Sequence, residues 1–222
     1  MSTRPRVLLA DDHAMLLEAF ARMLSATCDV VGTVNDGRAL IETAPILKPD
    51  IIVLDIAMPR LNGIDACRLL RPRMPDVKWV FLTVSADPDL AREVFRLGAS
   101  GFLLKSSAAS ELFMAIQKAM AGRRYITSLI TGDMPEGVFL SQPAPAHPDK
   151  LTGREREVLQ LLAEGRTMKE VANVLNVTPR TVAFHKYAIM KRLAAKTGAE
   201  LVQYAVTHHL VGGQGPVNSD SR

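Results

Sequence analysis

Apolar and polar residues along the first 122 positions follow a pattern that predicts five strands, each followed by a helix. The strand-like runs are short and rich in Val, Ile and Leu, and the intervening runs carry apolar residues at helical spacing. The predicted pairs are Val7–Ala10 with Ala14–Ala26, Val30–Val34 with Gly37–Ala44, Ile51–Leu54 with Gly63–Leu70, Val80–Thr83 with Asp89–Leu97, and Gly101–Leu104 with Ser107–Ala121. Five such units predict an α/β doubly wound (βα)5 domain, with helices on both faces of a parallel sheet.

The third predicted strand is apolar at every position from Ile51 to Leu54. Such a run, rich in β-branched residues, is typical of a strand buried on both faces of a parallel sheet. It ends at Asp55, and Met58-Pro59 and Asn62-Gly63 then predict a loop. Open α/β sheets place their sites at the carboxyl ends of strands, so Asp55 is a candidate site residue. Taken alone, the same aspartate could simply cap the next helix.

The last part of the chain predicts a small all-α four-helix domain, with helices at 153–164, 168–175, 179–194 and 198–209. Capping boxes are predicted at Thr152…Glu155, Thr167…Glu170 and Thr197…Glu200, and Thr178-Pro179 predicts the start of the third helix. Asn176-Val177 forms a tight turn between the second and third helices. This order is typical of a helix-turn-helix domain.

Between the two predicted domains, residues 1–122 and 149–211, residues 123–148 are predicted to be a linker. Gly and Pro are frequent from Thr131 to Lys150, which favours an extended chain, and the apolar residues Val138–Leu140 could dock on either domain. The tail 212–222 is rich in Gly, Ser and Asn and is predicted to be disordered.

Composition places the chain among ordinary globular proteins, since it has 222 residues of which 48% are hydrophobic and 23% charged. No apolar run approaches the ~20 residues that span a bilayer, and the N-terminus has no signal-like apolar segment. Cys28 and Cys67 lack metal-ligand spacing and are expected to be buried free thiols. These features indicate a cytoplasmic protein with no membrane partner.

The net charge of +4 comes entirely from the second half of the chain, because acidic and basic residues are equal in number over residues 1–122. A basic segment lies at residues 166–196, where Glu170 is the only acid and the basic residues are Arg166, Lys169, Arg180, Lys186, Lys191, Arg192 and Lys196. Concentrated positive charge favours a polyanionic partner such as DNA. A solvated basic surface is the alternative that charge counting leaves open.

A helical wheel of the third predicted helix separates two sides. Val182, Ile189 and Leu193 share one side with His185, which is interpreted as a packed core histidine. The opposite side carries Arg180, Phe184, Tyr187 and Lys191. Exposed aromatic residues beside cations suit base edges and phosphates in a major groove. Alternatively, the two aromatic residues pack on another domain.

Polar or charged residues lie at the carboxyl ends of four of the five predicted strands: Asp11, Asp12, Asp55, Thr83 and Lys105. A parallel sheet brings these ends to one edge, where three carboxylates repel one another and have raised pKa values unless a cation joins them. An all-oxygen site of this kind suits Mg²⁺. One carboxylate could then attack a phosphoryl group, while the lysine and the hydroxyl neutralise charge on the transferring oxygens.

Residues 5–122 closely resemble the receiver domain of two-component response regulators. The acid pair Asp11-Asp12, the D-x-x-M-P-x-x-x-G stretch from Asp55 to Gly63, Thr83 and Lys105 match in order and spacing. The resemblance implies that Asp55 accepts the phosphoryl group. It implies that Asp12, Asp55 and the backbone carbonyl of Ala57 ligate Mg²⁺, with Asp11 acting mostly through water. It also implies that Thr83 and Lys105 contact the phosphoryl group and that Phe102 is the switch aromatic. Phe102 could instead be a plain core residue.

One position departs from the receiver pattern, because Ser106 stands where many receivers have a proline in a cis bond. A cis bond before a residue other than proline costs about 3 kcal/mol. Whether the Lys105-Ser106 bond is cis is therefore left open by the sequence.

The span Leu151–Val211 resembles the DNA-binding domain of the LuxR/NarL/FixJ class. The matching stretches are L-T-x-R-E-x-E-V-L from Leu151, K-E-V-A from Lys169 and T-V-x-x-H from Thr181. The resemblance implies that helix 179–194 is the recognition helix and that helix 198–209 contributes to dimerisation on DNA. The residues expected to contact DNA are Arg180, Thr181, Phe184, Lys186, Tyr187 and Lys191, whereas Ala183 stands where many relatives have lysine.

These observations favour a phosphorylation-controlled transcription regulator that receives its phosphoryl group from a sensor histidine kinase and binds double-stranded DNA as a homodimer. Such a receiver catalyses its own phosphorylation and slow hydrolysis but is not a metabolic enzyme. Two alternatives remain at this point. One is a regulator whose receiver serves as a phosphate-independent dimerisation or partner-binding module. The other is a Mg²⁺-dependent phosphotransferase or phosphatase, which would leave the helix-turn-helix unexplained.

Overall fold

A computed structural model describes residues 4–142 and 151–212, which form two compact units. The predicted tail beyond residue 212 and linker residues 143–150 lie outside the described residues. The first unit consists of β1 (Arg6–Ala10), α1 (Ala14–Leu24), β2 (Asp29–Val34), α2 (Gly37–Leu47), β3 (Ile51–Asp55), α3 (Gly63–Leu70), β4 (Lys78–Thr83), α4 (Pro88–Arg96), β5 (Gly101–Leu104), α5 (Ala108–Met120), β6 (Tyr125–Ile126), α6 (Ser128–Thr131) and α7 (Glu136–Ser141).

The strands form one parallel sheet in the order β2-β1-β3-β4-β5-β6. Side chains of β1, β3 and β4 that point to one face pack with α1 and α5 in a single apolar core. The predicted alternation of strands and helices is confirmed, with ends that differ by a few residues. The third strand is buried at all five positions, as its continuous apolar run predicts.

The start of the predicted linker is part of the sheet, whereas residues 123–126 were expected to continue or cap the last receiver helix. Tyr125 N–H donates to the carbonyl of Ser100 at 2.9 Å, and Thr127 N–H donates to that of Phe102 at 3.1 Å, so β6 continues the ladder beyond β5. The Thr127 hydroxyl is fully buried and donates to Glu111 Oε1 at 3.1 Å. Two residues are too few to show strand periodicity, and for this reason the sequence pattern did not indicate β6.

The next part of the predicted linker also has structure, because α6 (Ser128–Thr131) and α7 (Glu136–Ser141) lie within it. Phe139 is 2% exposed and lies under the guanidinium of Arg92 on α4, with Cζ 4.5 Å from the ring centroid. Arg92 also donates to the side-chain oxygen of Gln142 at 2.7 Å. Phe139 therefore packs within the first unit, whereas the sequence left the docking partner of residues Val138–Leu140 open, and Val138 stays 51% exposed.

The second unit contains α8 (Gly153–Ala163), α9 (Met168–Leu175), α10 (Pro179–Leu193) and α11 (Gly198–Thr207), which confirms the four predicted helices. Complete capping boxes begin α8 and α9. The third box is only half formed, because Glu200 accepts from the N–H of Lys196 at 2.9 Å instead of from that of Thr197. The turn between α9 and α10 places Asn176 in the left-handed region, with φ 52°.

Two further findings concern membrane-spanning helices and thiols. Within the parts of the chain that the structure describes, no helix is both long enough and apolar enough to cross a bilayer. Cys28 and Cys67 are free and buried, as predicted. Burial raises the pKa of the Cys67 thiol to about 12, so this thiol is unreactive at neutral pH.

Gly63 fixes the loop between β3 and α3, and we expect Gly63→Ala to lower the free energy of unfolding by about 2 kcal/mol. A Cβ at this position would lie 2.2 Å from the carbonyl oxygen of Asp55, so the backbone itself would have to move. Urea unfolding followed by fluorescence of the single tryptophan, Trp79, measures this loss, since Trp79 is buried in β4.

Gly137→Ala is the matched control, because Gly137 lies in α7 and a Cβ there meets no atom within 4 Å. This substitution should leave the stability unchanged or raise it slightly. Equal stabilities for the two variants would contradict the proposed contact.

Candidate functional site

The polar residues predicted at the strand ends lie together at the carboxyl edge of the sheet. Asp11 follows β1, Asp55 ends β3, Thr83 ends β4 and Lys105 follows β5. Asp11, Asp55 and Thr83 are 1%, 2% and 5% exposed, respectively, so three polar side chains are buried at one edge. Buried polar groups require partners, and each of these residues has at least one.

A buried ammonium group joins the two buried carboxylates. Lys105 Nζ lies 2.8 Å from Asp11 Oδ2 and 3.0 Å from Asp55 Oδ2. The three side chains are at most 9% exposed. The backbone N–H of Lys105 also donates to the carbonyl of Thr83 at 2.7 Å, so the chain after β5 is held against the end of β4.

The pKa values at this edge are shifted by burial and by the neighbouring charges. Burial raises the pKa of the Asp55 carboxyl, and the Asp11 carboxylate raises it further, while Lys105 and the N–H of Ala57 act in the opposite direction. Burial alone would lower the pKa of Lys105, but the Asp55 and Asp11 carboxylates hold its proton and the net pKa is raised. The lysine is therefore a fixed positive charge beside an aspartate that is costly to ionise.

Three carboxylates and one ammonium lie at this edge, and the excess negative charge could hold a further cation. Oxygen or nitrogen atoms of Asp11, Asp12, His13 and Asp55 all lie within 4.8 Å of one another, and Asp12 and His13 are exposed. Carboxylate oxygens are hard donors of the kind that Mg²⁺ prefers, and the excess negative charge favours a divalent ion. The residues present therefore fit a Mg²⁺ site that opens to solvent.

His13 is a member of this cluster that the sequence analysis did not consider. Its Nδ1 lies 3.0 Å from Asp11 Oδ1 and 2.8 Å from Asp12 Oδ1. The sequence signal was available, because an imidazole directly follows the acid pair. The approach of His13 to the two carboxylates depends on the turn that begins α1, and the sequence pattern does not specify this turn.

The predicted switch residues have different surroundings. The Thr83 hydroxyl accepts a hydrogen bond from the N–H of Ser85 at 3.0 Å, which holds it at the mouth of the site. Phe102 lies on β5 and is fully buried, so in this structure it is a core residue. Every peptide bond within residues 4–142 and 151–212 is trans, and this includes the Lys105-Ser106 bond.

A second candidate surface lies on α10. Phe184 and Tyr187 are 70% and 71% exposed, and Val182 and Ile189 on the opposite side are fully buried. The exposed side also presents Arg180 and Lys191, as the helical wheel predicts, while Thr181 and Lys186 are half-buried. Arg192 Nε lies 3.3 Å from Glu155 Oε1, an ion pair between α10 and α8 that the sequence analysis did not identify.

His185 does not have the fully packed position that the sequence analysis assigned to it. It is half-buried, and its ring meets that of Phe184 edge to face, with centroids 5.8 Å apart. The helical wheel places it at the edge of the apolar side, so partial exposure is consistent with its spacing.

Comparison with known proteins assigns both units to families. Residues 7–117 match the response regulator receiver domain, and residues 149–205 match the bacterial regulatory proteins of the luxR family. The transcriptional regulatory protein LiaR of Bacillus subtilis is 35% identical over 93% of this chain and 99% of its own length. The response regulator GacA of Pseudomonas aeruginosa is 30% identical over 93% of this chain and 97% of its own length. The chain belongs to the NarL/FixJ family of response regulators.

A solved structure supports the same assignment for this response regulator. RcsB from Salmonella enterica serovar Typhimurium, bound to a promoter in the presence of the phosphomimetic BeF3-, aligns with a TM-score of 0.60 and 27% identity. The alignment covers 92% of this chain and all of the RcsB chain. The protein is accordingly a transcription regulator with a receiver domain and a LuxR-type DNA-binding domain.

The Lys105 ammonium balances two buried carboxylates, so we expect Lys105→Gln to lower the free energy of unfolding by about 3 kcal/mol at pH 8 without divalent ions. Without the ammonium, the pKa of Asp55 in the folded state rises further above its unfolded value. The cost is therefore present in full above the folded-state pKa, and it diminishes as pH falls towards the unfolded value, ~3.9. Urea unfolding at pH 8 and pH 5, followed by Trp79 fluorescence, measures both effects.

Arg22→Gln provides the control, because Arg22 pairs with Glu18 across an exposed turn of α1. We expect a change below roughly 0.5 kcal/mol at either pH for this exposed pair. A loss for Lys105→Gln that is independent of pH would show that the buried carboxylates do not depend on the ammonium.

Proposed function

We propose that this response regulator is controlled by phosphorylation of Asp55. The observation that carries the proposal is the buried pairing of Lys105 with Asp11 and Asp55, beside the solvent-exposed Asp12. A purely structural ion pair would not need a third carboxylate or a threonine hydroxyl at the same edge. Their combination is what transfer of a phosphoryl group to a carboxylate requires.

The chemistry follows from the charges. An Asp55 oxygen forms a bond to phosphorus while the bond between phosphorus and the phosphohistidine nitrogen of a sensor kinase breaks, and the leaving imidazole takes up a proton. Asp11, Asp12, Asp55 and the carbonyl of Ala57 would hold Mg²⁺, which supplies charge neutralisation on the transferring oxygens. Burial raises the pKa of the Asp55 carboxyl, and the adjacent Lys105 ammonium counteracts this by favouring the ionised form that acts as the nucleophile.

The switch is a redistribution of contacts. A phosphoryl group on Asp55 adds about −1.5 to −2 charges and three strong acceptors. Lys105 and the Thr83 hydroxyl lie at the ends of β5 and β4, where both can turn to these acceptors. New contacts there would shift an existing equilibrium of β4, α4 and β5, with Phe102 as the aromatic residue that responds.

The output is binding of a homodimer to double-stranded DNA in the cytoplasm. The exposed aromatic and basic side of α10 would enter the major groove, with Arg180, Thr181, Phe184, Lys186, Tyr187 and Lys191 as the contacting residues. The similarity to RcsB, whose structure was solved bound to a promoter in the presence of a phosphomimetic, supports DNA binding as the output.

A test of phosphorylation compares wild type with Asp55→Asn after incubation with acetyl phosphate and Mg²⁺. Intact mass should show one phosphoryl group on wild type only. The same samples, in a DNA-binding assay at fixed salt, should show tighter dimeric binding for the labelled protein alone.

The contrary result is informative. An unlabelled wild type that nevertheless binds DNA as a dimer would favour the alternative, a receiver used as a phosphate-independent dimerisation or partner-binding module. Regulation retained in Asp55→Ala would support the same alternative.

A test of the DNA surface uses the salt dependence of binding. Lys191→Ala should reduce the slope of log K against log salt by about 2 for the homodimer, because one phosphate contact is lost in each subunit. Phe184→Ala should weaken binding without changing the slope, since a ring releases no counterion. Arg22→Ala, an exposed cation on α1, should change neither quantity, and an unchanged slope for Lys191→Ala would remove this residue from the interface.

A further inference from the structure

We infer that His13 is an additional ligand of the divalent-cation site, which strengthens the preference of the site for first-row transition ions such as Mn²⁺ over Mg²⁺. The inference rests on the proposed cation site at Asp11, Asp12 and Asp55. It goes beyond that site because it adds a nitrogen donor to an all-oxygen set and thereby changes which ions the site prefers.

The turn after β1 directs the imidazole into the site. The backbone N–H of His13 donates to Asp11 Oδ1 at 2.9 Å, and the residue then begins α1 as its N-cap. The side chain makes no capping hydrogen bond. Its Nδ1 instead faces Asp11 Oδ1 at 3.0 Å and Asp12 Oδ1 at 2.8 Å.

These distances match the spacing of neighbouring ligands around one ion. Six-coordinate divalent ions with ligands at about 2.1 Å place adjacent ligand atoms about 3 Å apart. Lys105 engages Asp11 Oδ2, so Oδ1 is the oxygen of this carboxylate that faces His13. An ion seated among the three atoms would contact the imidazole nitrogen and two carboxylate oxygens.

The position of His13 also allows exchange with solvent. The side chain is 59% exposed, whereas that of Asp11 is 2% exposed. The imidazole therefore lies on the open side of the cluster, opposite the buried lysine. A ligand in this position completes the coordination of an ion that enters from solvent and does not obstruct the buried side.

A nitrogen donor changes ion preference for a chemical reason. Mg²⁺ prefers hard oxygen ligands, whereas imidazole binds first-row transition ions with increasing affinity along the series from Mn²⁺ to Cu²⁺. A mixed set of carboxylates and one imidazole should therefore favour Mn²⁺ over Mg²⁺ more strongly than carboxylates alone. The same short distances would also arise if the imidazole only donated hydrogen bonds to the two carboxylates.

The experiment separates these two roles in the full-length protein. Mn²⁺ and Mg²⁺ affinities are measured for wild type, His13→Asn and, as a control, His185→Asn. Electron spin echo envelope modulation of the bound Mn²⁺ then reports whether an imidazole ¹⁴N is coordinated to the ion. Trp79 fluorescence during urea unfolding verifies that the variants retain the receiver fold.

We expect a ¹⁴N signal in wild type and in His185→Asn, and its loss in His13→Asn. The Mn²⁺ affinity of His13→Asn should fall about tenfold, with less than a twofold change for Mg²⁺. Bound Mn²⁺ without a ¹⁴N signal, or an equal loss of both ions in His13→Asn, would overturn the inference while leaving phosphorylation of Asp55 intact. Failure of wild type to bind either ion would refute both this inference and the proposed Mg²⁺ site.

Discussion

The receiver unit depends on one buried arrangement of charge, in which the ammonium of Lys105 lies between the carboxylates of Asp11 and Asp55. Each charge alone would be too costly to bury, so the three residues must be brought together by the fold. Parallel strands achieve this, because β1, β3 and β5 end at the same edge. The site therefore depends on the strand order. It also depends on Gly63, because only the missing Cβ of this residue allows the chain after β3 to return so close to Asp55.

The second unit is organised by a different constraint, the satisfaction of helix ends. Its helices are short, and a threonine begins each of them by accepting a backbone hydrogen bond. The hydroxyl groups of Thr152, Thr167, Thr178 and Thr197 thereby fix where each helix starts. Once Val182 and Ile189 are buried, this start position determines which side chains of α10 remain exposed. The capping residues thus set the orientation of a surface that they do not themselves form.

Much of this arrangement could be predicted from the sequence because its causes are periodic or local. Strand ends follow from apolar runs, and the convergence of Asp11, Asp55 and Lys105 follows from parallel topology. The features that were missed depend on single contacts. Glu200 caps the N–H of Lys196 although Thr197 is the N-cap of α11, and His13 approaches the acid pair only through the geometry of one turn. Contacts of this kind leave no repeating pattern in the sequence.

The sixth strand has a consequence for how the receiver can be divided from the rest of the chain. A fragment that ended at residue 122 would contain all five predicted βα units, yet it would leave the backbone of β5 open along one edge and remove the buried hydroxyl of Thr127. Unpaired edges invite association with other chains. The folding unit therefore extends past residue 117, where the match to the receiver family ends. The residues of β6 are hydrogen-bonded to β5, the strand that carries Phe102. A displacement of that strand would therefore act directly on β6, which is hydrogen-bonded to it.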